Sequence, residues 1–254
     1  MTERLALSVR PVSGWLGKGR RTGAKWDLIM SENEARRGVF ITFEGMDGSG
    51  KTTQLRLLAR RLRQSGYEVV ENYEPGGTSI GNQIRRILLD AANHELCPTA
   101  ELLLYFASRA QNLEEIILPA LNAGKIVLSD RFTDSTLVYQ GEGRGLGREV
   151  VLDLDRIACR GIKPDLTLLI DVDPETSLAR ARERNLRLWT EGTNGETRMD
   201  DQDSTFHQRV AAAYRRLAAG EPERIAVIDG RGTVEQVAEK VWAKVADFLD
   251  KRHV

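Results

Sequence analysis

A three-layer α/β fold, in which a five-stranded parallel sheet is flanked by helices and carries a lid segment, is predicted from three observations. Apolar runs, the first of them β-branched and aromatic, recur at residues 39–44, 67–70, 125–129, 166–170 and 224–228. Helical segments separate these runs, which is the alternation of βαβ units around a parallel sheet. The first run ends in a glycine-rich turn that leads into a helix-prone stretch at 54–64. Composition agrees with a globular chain: 254 residues, 41% hydrophobic and 29% charged, against the signatures of disordered or fibrous proteins. Thirty-seven basic residues balance 37 acidic ones, so overall charge calls for neither nucleic acid nor an anionic membrane.

In chain order, residues 1–37 come first, with eight basic and four acidic side chains and no apolar period. They read as a poorly ordered N-terminal extension to a single domain at 38–254. Glu3 and the punctuation by Pro11, Gly14, Gly17 and Gly23 argue against the amphipathic helix of a presequence, the lack of an uninterrupted apolar core argues against a signal peptide, and Met30 is an alternative start. After the second strand, helical segments carry the chain to Gly124, a helix stop. Glycines at 141, 143, 145 and 147 predict a flexible loop. Asp173 followed by Pro174 and Glu175 predicts a helix start, and Thr233 with Gln236 has capping-box spacing. The stretch 184–203 is long, polar and charged, with Gly192 and Gly195 inside it, which predicts a lid. The two cysteines, Cys97 and Cys159, stand far apart without metal-ligand spacing. With no apolar run long enough to span a bilayer, they suit a cytoplasmic protein.

Chemistry concentrates first at Gly45, Met46, Asp47, Gly48, Ser49, Gly50, Lys51 and Thr52, which match G-x-x-x-x-G-K-[ST] between a strand and a helix. Glycines let backbone N–H groups converge on phosphate oxygens, and the helix N-terminus adds its positive end. Lys51 can reach the outer phosphates and Thr52 can ligate Mg²⁺, with Thr53 next in the helix as a further contact to the nucleotide. The expectation is a P-loop NTPase fold binding a nucleoside triphosphate. Asp130, closing the strand IVLSD, brings a carboxylate to the same strand edge for the metal. Arg131 follows it; the pair reads as functional rather than as a surface ion pair because of that position. Tyr105 and Arg109 are four apart in a helical segment, so they share a face.

Together, FEGMDGSGKTTQ, EPGGT, Asp130-Arg131-Phe132, Ser135-Thr136, YQGEGRGLG, PDLTLLIDVDPE and LARARER resemble, in content and order, bacterial thymidylate kinases over about residues 38–250. The resemblance implies transfer of the ATP γ-phosphoryl group to dTMP, with Mg²⁺, by a homodimer. The helix at 99–112 is a candidate for its interface. It implies that Tyr105, where the family usually has Phe, stacks on thymine, and that Arg109 pairs with the base. Ser135, Thr136, Tyr139 and Gln140 then line the base and sugar pocket, Asp47 meets the 3′-hydroxyl of the acceptor, and Glu74 belongs to the turn beside it. Arg184 first and Arg182 second are the implied lid arginines that close over the ATP phosphates. Many relatives carry Arg before Glu74, whereas this chain has Tyr73. Arg131, then Arg85 or Arg86, are the candidates to hold the acceptor phosphate in its place. The lid is also longer and more apolar than in the relatives, with Leu186, Leu188 and Trp189.

Two other functions compete. A deoxynucleoside kinase would phosphorylate an uncharged hydroxyl and would need a general base rather than arginines for an acceptor phosphate. A non-catalytic nucleotide switch would lack a second nucleotide pocket.

Overall fold

The computed structural model describes residues 37–190 and 197–252. The expected extension, apart from Arg37, and the glycines at 192 and 195 lie outside the described residues. Five parallel strands, β1 (Phe40–Glu44), β2 (Val69–Tyr73), β3 (Ile126–Asp130), β4 (Leu166–Asp171) and β5 (Ile225–Asp229), form one sheet in the order β2-β3-β1-β4-β5. Every strand falls within two residues of its expected bounds, except that β2 ends three residues later, at Tyr73 rather than 70. The shift toward the C-terminal side comes from pairing that apolarity does not reveal, such as Asp171 against Asp229 and Tyr73 against Asp130.

Alternation along β1 explains the layers. Ile41 and Phe43 face one core, and Phe40 faces the other. On the first side pack α1 (Lys51–Gln64) and, last in the chain, a helix at Val234–Arg252. Leu55, Leu58, Ala59 and Leu62 of the former meet Val237, Val241, Val245 and Leu249 of the latter at helical spacing. The reciprocal bonds of the expected capping box, Gln236 N to Thr233 Oγ1 at 3.3 Å and Thr233 N to Gln236 Oε1 at 2.9 Å, start that helix.

On the other side, α2 (Ser79–Leu89) leads to α3 (Pro98–Asn112), which runs through a widened turn into α4 (Leu118–Asn122). After β3 come α5 (Thr133–Thr136) and α6 (Arg148–Cys159). Leu102, Phe106, Leu113, Ile117 and Val151 from this layer pack with Phe132 and Val127. The remaining helices are α7 (Pro174–Thr190), α8 (Ser204–Gly220) and α9, the terminal helix already described.

Two expectations change. Residues 137–143 continue α5 as a wide helical turn, so the expected loop at 141–147 is only partly a loop. Its glycines admit close packing instead: a Cβ on Gly143 would lie 2.7 Å from the Phe206 ring, and Arg144 is anchored on Glu101. The lid expected from residue 184 likewise begins as helix, because α7 continues to Thr190.

Candidate active site

All five strands end toward one edge, and the chain crosses there from β3 to β4 over β1, the position where open parallel sheets bind ligands. The turn after β1 is the phosphate loop. Gly48 and Gly50 have φ of 80° and 97°, a region that favours glycine. A Cβ on Gly48 would also collide with the Ser177 carbonyl of α7, so the loop is clamped between α1 and α7. Lys51 opens α1, buried, with Nζ donating to the Met46 carbonyl at 2.8 Å. Burial and the nearby Arg131 push its ammonium down to about 8, against the pull of Asp47, Asp130 and Glu44. Thr52 Oγ1 donates to Asp130 Oδ2, so the hydroxyl and the carboxylate meet at the strand edge. Ser49 Oγ is buried and has no protein partner among the described residues.

Arg131 is the hub. Its φ of 75° is left-handed and unusual for a side-chain-bearing residue. The conformation is held by Arg131 N on the Phe43 carbonyl at 3.0 Å and by Ser129 Oγ on the Arg131 carbonyl at 2.9 Å. The guanidinium donates to Asp47 Oδ1 at 2.8 Å, Ser135 Oγ at 2.8 Å, the Gly45 carbonyl at 3.0 Å and Tyr214 Oη at 3.2 Å. Burial alone would raise the Asp47 carboxyl; Arg131 and Lys51 outweigh it and hold it well below the usual carboxylate range. Behind this hub Glu44, the last residue of β1, accepts from Phe132 N at 2.8 Å, Ser135 Oγ at 2.5 Å and Tyr214 Oη at 2.9 Å. Burial, reinforced by Asp134, pushes it up to about 7.

The second half of the site is built on α3. Arg109 is buried between the rings of Phe106 and Phe132, each 5.1 Å away. It donates through Nε to Glu74 Oε2 at 2.6 Å and through Nη1 to Thr136 Oγ1 at 3.0 Å. Glu74 follows β2 and is buried, which lifts its carboxyl despite the Arg109 charge. Tyr105, one turn earlier, is half-buried and has its hydroxyl held protonated by burial and by Glu101.

A single cleft of about 1120 Å³ joins both halves. It is lined by Asp47, Gly48, Ser49, Gly50, Lys51, Thr52, Thr53, Glu74, Tyr105, Arg109, Asp130, Arg131, Ser135, Thr136, Tyr139, Gln140 and Arg184, all expected from the sequence. Gly45, Met46 and Arg182 are outside the lining. Gly45 and Met46 contribute carbonyls that fix Arg131 and Lys51. Arg182 is exposed on another face of α7, whose cleft-facing arginines are Arg180, Arg184 and Arg187. Arg184 Nη2 lies 3.3 Å from Asp200 Oδ2, a buried carboxylate pushed up to about 6 by desolvation and by Asp47. Arg85 lines the cleft and Arg86 does not.

Sequence reasoning missed the far end of the cleft, where Gly230, Gly232, Thr233, Val234 and Val237 extend it past the phosphate loop. Their position immediately after a strand in a parallel sheet was the available signal. It also missed Glu101, buried one turn before Tyr105, and Tyr214 on α8.

The thymidylate kinase family model matches residues 43–241. A thymidylate kinase from Geobacter sulfurreducens is 51% identical over 215 residues, covering 85% of this chain and 98% of its own. One from Pelobacter propionicus is 50% identical over 208 residues, covering 82% and 94%. The crystal structure of thymidylate kinase from Ehrlichia chaffeensis superposes with a TM-score of 0.65 at 32% identity, covering 83% of this chain and 99% of that one. With a fold, a phosphate loop and a cleft that agree along nearly the whole length of these relatives, the chain belongs to the thymidylate kinase family.

Proposed function

We propose that the chain transfers the γ-phosphoryl group of ATP to dTMP, giving dTDP and ADP. The observation that carries this reading is the continuity of the cleft. One opening runs from Thr233 and Val237, past Lys51 and Thr52, to Tyr105, Arg109 and Gln140. A donor nucleotide lies with its base at the first end and its phosphates on the loop. An acceptor monophosphate lies with its base on Tyr105, within reach of Arg109. A terminal oxygen of the acceptor phosphate attacks the γ-phosphorus in line, and ADP leaves. The protein positions both groups and neutralises charge, since little covalent chemistry falls to it.

Lys51 meets the transferring group from the loop and Arg184 meets it from α7, with Arg180 beside it. The fixed Arg131 holds Asp47 ionised, where it accepts from the acceptor's 3′-hydroxyl. Arg131, fixed by Asp47 and Ser135, and Arg85, which donates to the Pro75 carbonyl at 2.8 Å and lies 5.5 Å from the Tyr73 ring, are the two cleft-lining cations for the acceptor phosphate. The oxygen pair of Thr52 and Asp130 fits a hard divalent cation. Those two residues would hold Mg²⁺, which supplies charge neutralisation on the donor phosphates.

The enzyme acts in the cytoplasmic nucleotide pool; no helix among the described residues is long and apolar enough to cross a membrane. Leu103 of α3, Ile80 and Ile87 of α2, and Val150 and Ile157 of α6 are exposed on helices that pack on α3, and this side of the domain is where a second copy packs to make a homodimer. Calorimetric titration of ATP-free protein with dTMP tests the two-ended cleft. One site per chain is expected, and no binding would leave only a nucleotide switch.

A further inference from the structure

Glu101 is fully buried on α3, one turn from Tyr105 and two from Arg109, and takes no direct part in the site described above. Its carboxylate is surrounded by donors. Gln140 Nε2 donates to Oε1 at 2.8 Å, Arg144 reaches both oxygens at 3.2 and 3.0 Å, and Arg198 Nη1 lies 2.7 Å from Oε2. Burial alone would raise this carboxyl; the Arg144 and Gln140 bonds outweigh it and keep the group in its ionised form.

An ionised carboxylate only accepts hydrogen bonds, so it determines which end of the Gln140 amide faces it. The nitrogen is committed to Glu101, and the carbonyl oxygen is the end left for the cleft that Gln140 lines. A fixed acceptor there matches a pyrimidine whose N3 carries hydrogen, as in thymine. It opposes cytosine, whose N3 is itself an acceptor. If the amide were free to turn over, its nitrogen would meet the cytosine N3 equally well.

The carboxylate is in turn fixed by the segment that follows α7. Arg198 also donates to the Leu88 carbonyl, its backbone N–H to the Leu89 carbonyl at 3.3 Å, and Gln202 accepts from Arg144 at 2.6 Å. Arg198, on Oε2, and Gln202, through Arg144, thereby complete the cage around Glu101, whose Oε1 holds Gln140.

We propose that Glu101 is a positioning residue for base selection, locking the Gln140 amide so that the site accepts a pyrimidine with a hydrogen on N3 and rejects one without it. This rests on the reading of the Tyr105 end as the acceptor pocket. Glu101→Gln is isosteric but can donate or accept, so it removes the lock. The test is the ratio of kcat/KM for dTMP to that for dCMP, a quantity that general loosening of the fold does not move in one direction. The ratio is expected to fall at least tenfold in Glu101→Gln, mainly through a gain with dCMP.

Should the single variant fail to fold, because buried Arg198 and half-buried Arg144 then face no carboxylate, the charge-balanced pair Glu101→Gln with Arg198→Met gives the same reading. A folded variant of either kind that keeps the ratio within threefold of the parent overturns the proposal while leaving the dTMP kinase assignment standing. A parent enzyme with no preference for dTMP over dCMP overturns both.

Discussion

Replacing Lys51 by methionine is expected to stabilise the fold while disabling it. The ammonium is buried and protonates at about 8 in the folded chain, against 10.5 in an open one. At neutral pH it is still charged, so the folded state carries a penalty of roughly 3 kcal/mol. Methionine fills a similar volume without a charge. The lost bond to the Met46 carbonyl returns about 1 kcal/mol of that, leaving a net gain of about 2 kcal/mol. In a domain of this size such a gain raises Tm by about 4–8 °C.

The sign with pH follows from the depressed value. Between about 8 and 10.5 the unfolded chain holds a proton that the folded one has released, so parent stability from this group rises with pH across that window. The advantage of Lys51→Met should therefore shrink between pH 7 and pH 10. Turnover should fall by about 10²–10³ or more, because a charge aimed at the transferring group is gone. Calorimetric melting at both pH values, alongside an ADP-release assay, checks all three. A folded variant that melts several degrees lower, or that keeps turnover within threefold, would refute the reasoning.

Arg184→Ala should lower kcat by about 10³, on the order of 4 kcal/mol, with Tm nearly unchanged because its pair with Asp200 is half-exposed; Arg182→Ala, exposed and outside the cleft, should be nearly silent. Steady-state kinetics separates them, and equal effects would mean the face of α7 has been misjudged. Tyr105→Phe should keep kcat/KM for dTMP within threefold, whereas Tyr105→Ala should lose about 1–3 kcal/mol of base stacking, read as a rise in KM. Glu44 is raised by burial from 4.5 to about 7, so the stability it contributes is complete below pH 4.5 and is lost as pH rises to about 7. Melting from pH 5 to pH 8 should show that fall in the parent and a smaller one in Glu44→Gln, since Asp200, raised to about 6, acts in the same direction. If Thr52 and Asp130 hold the cation as proposed, chelation of divalent cations should abolish turnover and leave dTMP binding intact, because that pair lies beside the phosphate loop and not at the Tyr105 end of the cleft.

What was legible in the sequence was what is local. The phosphate loop is read from spacing because its backbone geometry is set by its own glycines and by the helix that follows. The capping box at Thr233 and Gln236 has the same character. Misreadings arise where distant residues decide. The glycines of 141–147 suggest freedom, yet the Phe206 ring and the Glu101 carboxylate, far along the chain in either direction, wind part of the stretch into helix. Arg180, Arg184 and Arg187 share one face of α7 at i, i+4 and i+7, and Arg182 points away; helical phase alone could have ranked them. Glu101 stands at the same spacing from Tyr105 as Tyr105 does from Arg109, so the stripe was visible. Its partners Arg144 and Arg198 were not, since nothing local ties them to α3.

The most direct test of the account is a coupled ADP-release assay with ATP and Mg²⁺ across the common nucleoside monophosphates. The cleft, with Tyr105, Arg109 and the locked Gln140 at its acceptor end, leads to the expectation that dTMP is the preferred substrate by at least tenfold over dCMP, dGMP and AMP. Equal rates with AMP, or ADP release that no monophosphate stimulates, would contradict it.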